Sequence, residues 1–152
     1  MALLKAEQIA AAVLGVLQAA IVAPAANTIG RARAYSYHDE SLPALNVVLG
    51  PDKPVTDKGP DNLEFQDWEL TVFVDIVVKT SAAPIDTLLN SLRLAVHKAI
   101  MANYTLGLAF VFNSYPGEAA EPEIKGDGEL PVAVLRTAFI FNYRASITDP
   151  SN

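Results

Sequence analysis

The sequence predicts an α+β fold, in which a mostly antiparallel sheet has two main helices packed on it. Two segments place apolar residues at spacings of three and four, as amphipathic helices do, and others alternate apolar and polar residues, as half-buried strands do. These segments follow the order helix, strands, helix, strands, which favours hairpin-like strand pairing with the helices on one face. A chain of 152 residues, of which 51% are apolar, suits one domain, residues 1–152, around a single core.

Two segments have apolar residues at the spacing of an amphipathic helix. The first is predicted from Leu3 to about Val22, and Pro24 prevents its continuation. The second covers residues 85–102, with Pro84 suited to its first turn. The first apolar stripe consists of Ile9 or Ala10, Val13, Leu14, Leu17 and Ile21, and the second of Ile85, Leu88, Leu89, Leu92, Val96 and Ile100.

The first helix also resembles a targeting segment. Residues 9–26 resemble the apolar part of a secretory signal, but Lys5 and Glu7 cancel the positive charge that a signal carries before it. Gln18 interrupts the run and leaves it too short to span a membrane. We therefore expect a cytosolic amphipathic helix. The alternative is a secreted or envelope-anchored module, which requires residues 1–26 to be cleaved, and intact mass would decide it.

Two long strands are expected to form the centre of the sheet. The first runs from Leu63 to Thr80 and the last from about Val132 to Ser146. Because successive side chains of a strand point to opposite faces, each strand has a core face and a second face. The predicted core consists of Trp68, Leu70, Val72, Val74, Ile76, Leu89, Leu92, Val96, Phe139 and Phe141. Shorter strands are expected at Leu45–Leu49 and Leu108–Phe112, and residues 31–40 form a short strand or an extended connection.

Two segments rich in proline, glycine and charge are predicted to be loops, residues 50–62 and 113–130. Such composition leaves little apolar surface to hold a segment in place. We therefore expect residues 51–61 and 116–128 to be poorly packed in the isolated subunit. The second loop carries a net charge of −4, from Glu118, Glu121, Glu123, Asp127 and Glu129 against Lys125.

No catalytic, cofactor-binding or metal-binding residues are predicted. The chain has no cysteine, which excludes disulfides and thiolate chemistry, and neither His38 nor His97 has a metal-ligand spacing. The carboxylates of Asp39 and Glu40 and of the acidic loop are interpreted as solvated surface, although a cation site or a hydrolase remains an alternative. The net charge of −6 and the pI of 4.8 argue against binding of nucleic acid through its phosphates. We expect no enzyme and no cofactor.

The residues expected to serve a function are instead candidates for protein contacts. Arg31 and Arg33 stand two apart on an extended segment, so they project to one side and suit a partner's carboxylates. The second face of the long strands exposes a mixed patch, and soluble monomers seldom leave large apolar patches uncovered. This patch consists of Phe73, Asp75, Val77, Arg136 and Ile140. Either a neighbouring subunit or the first helix covers it, and Asp75 pairs with Arg136 within one subunit or across the interface.

The layout of the chain resembles that of the tail terminator proteins of long-tailed bacteriophages, and related tail-completion and neck proteins share it. The resemblance covers most of the chain: an N-terminal helix, an arginine-containing segment before "LPAL", a long strand, the helix "PIDTLLNSLRLAVHKAI" and a final strand ending "FNYRASITDP". Its most specific stretches are Leu42-Pro43-Ala44 and Tyr143–Pro150.

The resemblance implies a ring of identical subunits, commonly six, which caps the tail tube, ends its polymerisation and offers a surface to the connector of the head. The implied partners are further copies of the chain, the tail tube protein and the connector protein, without a membrane. DNA would pass through the lumen without specific binding, which an acidic chain allows. The protein would assemble in the host cytoplasm and remain in the virion tail. The alternatives are another connector or neck protein, or a small carboxylate-dependent enzyme or ligand-binding module with a concave polar site.

Overall fold

The computed structural model describes residues 3–22, 25–32, 39–55, 64–79, 84–125 and 132–152, and it has the predicted α+β class. The helices are α1 (Lys5–Ala20) and α2 (Ile85–Met101), and a short 3₁₀ turn covers Asp39–Ser41. The strands are β1 (Thr28–Arg31), β2 (Ala44–Pro54), β3 (Phe65–Lys79), β4 (Val111–Pro116), β5 (Glu123–Lys125) and β6 (Val132–Ser146). Neither helix of the described ranges is long and apolar enough to cross a membrane.

The strands form one sheet in the order β1-β2-β3-β6-β4, with β5 also pairing with β6. Only β1 and β2 are parallel, and the other described pairings are antiparallel. The centre of the sheet is the pair β3 and β6, which are 15 residues each and stay in register from Phe65 opposite Ser146 to Lys79 opposite Val132. This long unbroken register fixes which side chains of the two strands stand side by side.

Both helices pack on the same face of the sheet. The even-numbered residues of β3 and the odd-numbered residues of β6 form one cluster with α2, as predicted, and Trp68 packs at its margin. The apolar stripe of α1 joins the same cluster, where Ile9, Val13 and Leu17 are fully buried together with Leu45 and Val47 of β2. Full burial of each such side chain stabilises the fold by roughly 1.5–3 kcal/mol. The alternative in which α1 covers the second face is therefore wrong.

Strand β2 continues through residues 50–54, which were expected to be loop. Among the described residues, β1 pairs with β2 only as far as Val47, so the later part of β2 has no described strand beside it on that side. Prolines are tolerated at such an edge because the missing donor has no partner to lose. A register shift between Leu49 and Asp52 accommodates the turn residues, and the hydroxyl of Tyr143 donates a hydrogen bond of 2.7 Å to the Asp52 carboxylate. Burial is the main cause that raises the pKa of Asp52.

The segment after α2 also departs from the prediction. Residues 102–110 form turns, and the strand expected at 108–112 begins at Val111 and ends at Pro116. The backbone then stays beside β6, because the amides of Gly117 and Ala120 donate to the carbonyls of Ala138 and Arg136. The backbone of residues 51–54 and of the described part of 116–128 is thus paired with neighbouring strands, whereas the side chains of both segments are mostly exposed, as expected of poor packing. Residues 56–61 and 126–128 lie outside the described ranges.

The residues after β6 fold back onto the start of α1. The Pro150 carbonyl accepts a hydrogen bond of 3.1 Å from the Lys5 amide, and the Glu64 carbonyl accepts one from the Ile147 amide. Helix α1 has no side-chain cap, because its N-cap residue is Leu4. The first amides of a helix lack partners within the helix itself. The tail residues therefore supply one of the acceptors that the beginning of α1 needs.

Candidate functional site

The candidate site is the sheet face opposite the two helices, called here the outer face. It exists because β3 and β6 alternate strictly and pair without a shift, so that their remaining side chains all point away from the core. The outer face consists of Phe65, Asp67, Glu69, Thr71, Phe73, Asp75 and Val77 of β3 and Val134, Arg136, Ala138, Ile140, Asn142 and Arg144 of β6.

A bidentate ion pair between Asp75 and Arg136 lies on the outer face. The two residues stand directly opposite each other, and the Nε and Nη2 atoms of Arg136 donate to the two carboxylate oxygens at 2.7 and 2.9 Å. The hydrogen bonds to Asp75 are the main cause that raises the pKa of Arg136. Of the two arrangements expected from the sequence, the pair takes the one within a single subunit.

Phe73 lies beneath this ion pair and is held by a glycine of the neighbouring strand. The guanidinium carbon of Arg136 is 4.9 Å from the centre of the Phe73 ring, a cation–π distance. A Cβ atom on Gly50 would come within 2.6 Å of the Phe73 ring and 2.9 Å of the Thr71 carbonyl oxygen, closer than real side chains approach. The absence of a side chain at Gly50 therefore lets the Phe73 ring lie against the sheet and below the arginine.

A second ion pair repeats the first at the other end of the face. The Nε and Nη2 atoms of Arg144 donate to the Asp67 carboxylate at 2.7 and 3.1 Å. This pair was not predicted from the sequence, although a signal was present. Asp67 lies eight residues before Asp75 on β3, and Arg144 lies eight residues after Arg136 on β6. In an antiparallel pair without bulges, the register that aligns one pair must also align the other.

Between the two ion pairs lies a third polar contact that was also missed. Lys53 contacts the Glu69 carboxylate at 3.1 Å, and the Tyr115 hydroxyl donates to the same carboxylate at 3.1 Å. The hydrogen bond from Lys53 is the main cause that lowers the pKa of Glu69. Burial, and then the contact with Glu69, raise the pKa of Tyr115. No sequence pattern connects these residues, because the extension of β2 and the position of β4 bring them together.

The charges of the outer face balance. Three acids of the outer face, Asp67, Glu69 and Asp75, pair with three bases, of which Arg136 and Arg144 belong to the face and Lys53 comes from the neighbouring strand β2. The whole chain has a net charge of −6. The outer face is thus a neutral surface on an acidic protein, with its charges already paired within the subunit.

Apolar side chains occupy the remaining outer face. Val77 is buried in a small cluster with Leu42 and Ala44, and Val132 and Val134 pack against it. Phe73 and Ile140 are half-buried, and no described helix covers them. Phe73, Val77 and Ile140 are the predicted apolar part of an interface, and the structure brings them onto one face with Asp75 and Arg136.

Of the two arginines predicted to contact a partner, Arg31 and Arg33, the structure describes only Arg31. Arg31 points to the helix side of the sheet, where it forms an ion pair of 2.5 Å with Glu7 of α1. It therefore does not join the other predicted residues on the outer face. Arg33 and His38 lie outside the described ranges. His97 is exposed on α2, with its ring 6.3 Å from that of Phe139.

Two open grooves lie at the ends of the outer face. The larger, called here the aromatic groove, has a volume of about 700 Å³. It is lined by Lys5, Phe65, Asp67, Ala109, Phe110, Phe112 and Arg144. The second groove, of about 480 Å³, lies beside Asp75 and Arg136 and is bordered by residues of the acidic segment, Glu121 and Glu123. In the described ranges, no group of three or more histidine or acidic side chains is placed to hold a metal ion.

The free edges of the sheet are poorly suited to receive a further strand. At one edge, the described strand β1 has only four residues, and the part of β2 beyond it contains Pro51 and Pro54. At the other, Gly117 pairs with Ala138, so the alternation of an antiparallel pair turns the main-chain groups of Ser114 and Pro116 outward. Pro116 has no amide to offer there, and proline on an edge strand discourages pairing with another chain. The outer face is therefore better suited to contact a partner than either edge.

Comparisons with known proteins place the fold rather than the family. No family model matches the sequence, and no curated protein matches it. Among solved structures, the fold is similar to that of a chain in a structure described as "Virion of native gene transfer agent (GTA) particle". The two chains are 14% identical, with a TM-score of 0.53, and the match covers 90% of this chain and 95% of that one. At this identity the likeness shows a shared fold over nearly the full length of both chains.

Proposed function

We propose that this chain is a structural protein of a bacteriophage-type virion, and specifically a tail terminator. In this role six copies form a ring at the head-proximal end of the tail, which caps the tube, ends its polymerisation and offers a surface to the head connector. The chain then functions as a component of an assembly and not as an enzyme. Its location is the host cytoplasm during assembly and the virion afterwards.

The observation that carries the proposal is the outer face. It combines half-buried Phe73 and Ile140 with ion pairs that are complete within the subunit. A face of this kind can be covered by another protein without leaving an unpaired charge, which would be costly to bury. The likeness to a chain of a virion structure and the resemblance of the sequence to tail terminators agree with this role.

The charge of the chain agrees with a ring through which DNA passes. At −6 per copy, the ring would repel a DNA backbone, whereas a basic lining would bind the phosphates and hold the DNA in place. Arg31 is partly neutralised by Glu7 and does not create a basic patch in the described part of the chain. This feature separates the proposed role from that of a DNA-packaging or DNA-anchoring protein.

The native mass of the purified protein tests the proposal. We expect a ring-sized oligomer for the unmodified chain and a folded monomer for Ile140→Asp, since a charge at the centre of the apolar patch prevents its burial. The matched control is Leu94→Asp on α2, which changes a leucine that is 54% exposed and lies away from the outer face. This control should assemble normally. Circular dichroism should show native secondary structure for both variants.

A different set of results would contradict the proposal. A monomeric unmodified chain at high concentration would exclude the ring, and normal assembly of Ile140→Asp would exclude the outer face as its interface. If the ring forms but binds only the connector and not the ends of tail tubes, the chain is a neck protein rather than a terminator.

A further inference from the structure

We propose that the aromatic groove receives the acidic segment, Glu118–Lys125, of a neighbouring copy, so that the copies associate head to tail. The inference rests on the proposed function, because it adds to the outer face two further surfaces, one at each end of that face, through which one subunit of the ring contacts the next.

The aromatic groove offers exposed rings beside a net positive charge. Phe112 and Phe65 are 51% and 37% exposed, an unusual degree for phenylalanine in a folded subunit. The Lys5 ammonium lies 4.9 Å from the centre of the Phe110 ring and donates a hydrogen bond of 3.0 Å to the Arg144 carbonyl. With Asp67 against Lys5 and Arg144, the charged lining of the groove has a net charge of +1.

The acidic segment offers the complementary features. It carries Glu118, Glu121 and Glu123 against Lys125, a net charge of −2. Ile124, next to its last residue, is 62% exposed. Because Ile124 pairs with Ala133 in the regular β5–β6 register, its backbone position and the face to which its side chain points are fixed. Ile124 stands between Glu123 and Lys125, which form an ion pair of 3.1 Å, and the net charge of the whole segment is opposite in sign to that of the groove lining.

The two surfaces cannot meet within one subunit. Strand β4, which contributes Phe112 to the groove, begins at Val111, and Val111 pairs with Tyr143. Ile124 of the acidic segment pairs with Ala133. Tyr143 and Ala133 lie ten residues apart on β6, which corresponds to about 34 Å along a strand. Each copy therefore has one groove and one acidic segment at opposite ends, and a contact between unlike surfaces is the kind that closes a ring or extends a filament.

Cysteine cross-linking tests this contact directly, because the chain contains no cysteine of its own. In a chain that carries both Phe112→Cys and Ile124→Cys, a short thiol-specific cross-linker should produce a ladder from dimers up to the full ring on a denaturing gel. Each single variant should remain uncross-linked, and an equal mixture of the two single variants should give dimers and no larger products. The matched control combines Leu94→Cys with Ile124→Cys and should give no ladder.

The outcomes separate this inference from the proposed function. Native mass is measured first for each variant, and if Phe112→Cys prevents assembly, Ala109→Cys at the same groove replaces it. If the double variant assembles but gives no ladder of cross-linked products, the inference is overturned and the proposed ring is not contradicted. Cross-linked dimers from Phe112→Cys alone also overturn it, because like surfaces would then meet. An unmodified chain that stays monomeric overturns the ring and the inference together.

Discussion

At the scale of single residues, the outer face depends on a stack of three groups. Gly50 leaves space on β2, the Phe73 ring fills that space, and the Arg136 guanidinium lies over the ring while it pairs with Asp75. The ion pair alone contributes little to stability, about 0–1 kcal/mol, because Arg136 is nearly half exposed. Its larger effect is to hold a long side chain in one position, which gives the outer face a defined shape.

We expect Gly50→Ala to destabilise the protein by about 1–3 kcal/mol, because the new methyl group displaces Phe73 and meets the Thr71 carbonyl. The matched control is Gly30→Ala, where an added Cβ has no heavy atom within 4 Å, and its effect should stay within about 0.5 kcal/mol. Urea unfolding of both variants measures the difference. Equal stability of the two variants would show that Phe73 moves aside without cost.

At the scale of elements, the sequence specifies the central strands and the helices well. In β3 and β6 the alternation runs over 15 residues, so that the core face and the second face both follow from one pattern, whereas the opposite charges of Asp75 and Arg136 indicate the register. The sequence specifies helix α2 equally well, because its buried residues recur at spacings of three and four residues. Periodicity over this length leaves few alternative assignments of side chains to the core face, which is why the predicted core is correct.

The extension of β2 beyond Leu49 and the strand β5 were not predictable, because their pairing decides their structure. Proline and glycine in residues 50–54 indicate a loop, yet the long β3 supplies partners for that segment and the open side tolerates Pro51 and Pro54. In the same way, the side chains of Glu123–Lys125 are all exposed, and only β6 holds that segment in place. A local pattern cannot show such pairing, and the aromatic groove and Tyr115 contact were missed for this reason.

The beginning of α1 provides a prediction at the scale of an element. Its N-cap residue, Leu4, has an extended backbone and is 51% exposed, so a hydroxyl there can accept a hydrogen bond from the first turn. We expect Leu4→Ser to raise the free energy of unfolding by about 1 kcal/mol. The neighbouring variant Leu3→Ser, at a residue that is 53% exposed and outside the cap position, should bring no such gain. Thermal and urea unfolding test both, and a gain from Leu3→Ser as well would attribute the effect to polarity alone.

At the scale of the whole molecule, the two faces of the sheet differ in burial and in charge. The helices cover one face with a continuous apolar core, whereas the outer face keeps its charges paired and its apolar residues half-buried. The negative charge of the protein lies elsewhere, including the acidic segment beside β6. This division leaves one neutral surface on an acidic subunit, where a second copy can approach with the least electrostatic repulsion.

If assembly through the outer face stabilises the folded subunit, thermal stability must depend on protein concentration. A partner that binds only the folded state stabilises it by mass action, and for a ring this amounts to about 1 kcal/mol for each tenfold rise in concentration. For a domain of this size, the midpoint of thermal unfolding should rise by roughly 2–4 °C. Ile140→Asp should lose this dependence, whereas Leu94→Asp should keep it. Calorimetry across two decades of concentration measures the slope, and a flat slope for the unmodified chain would show that subunit contacts contribute nothing to its folding stability.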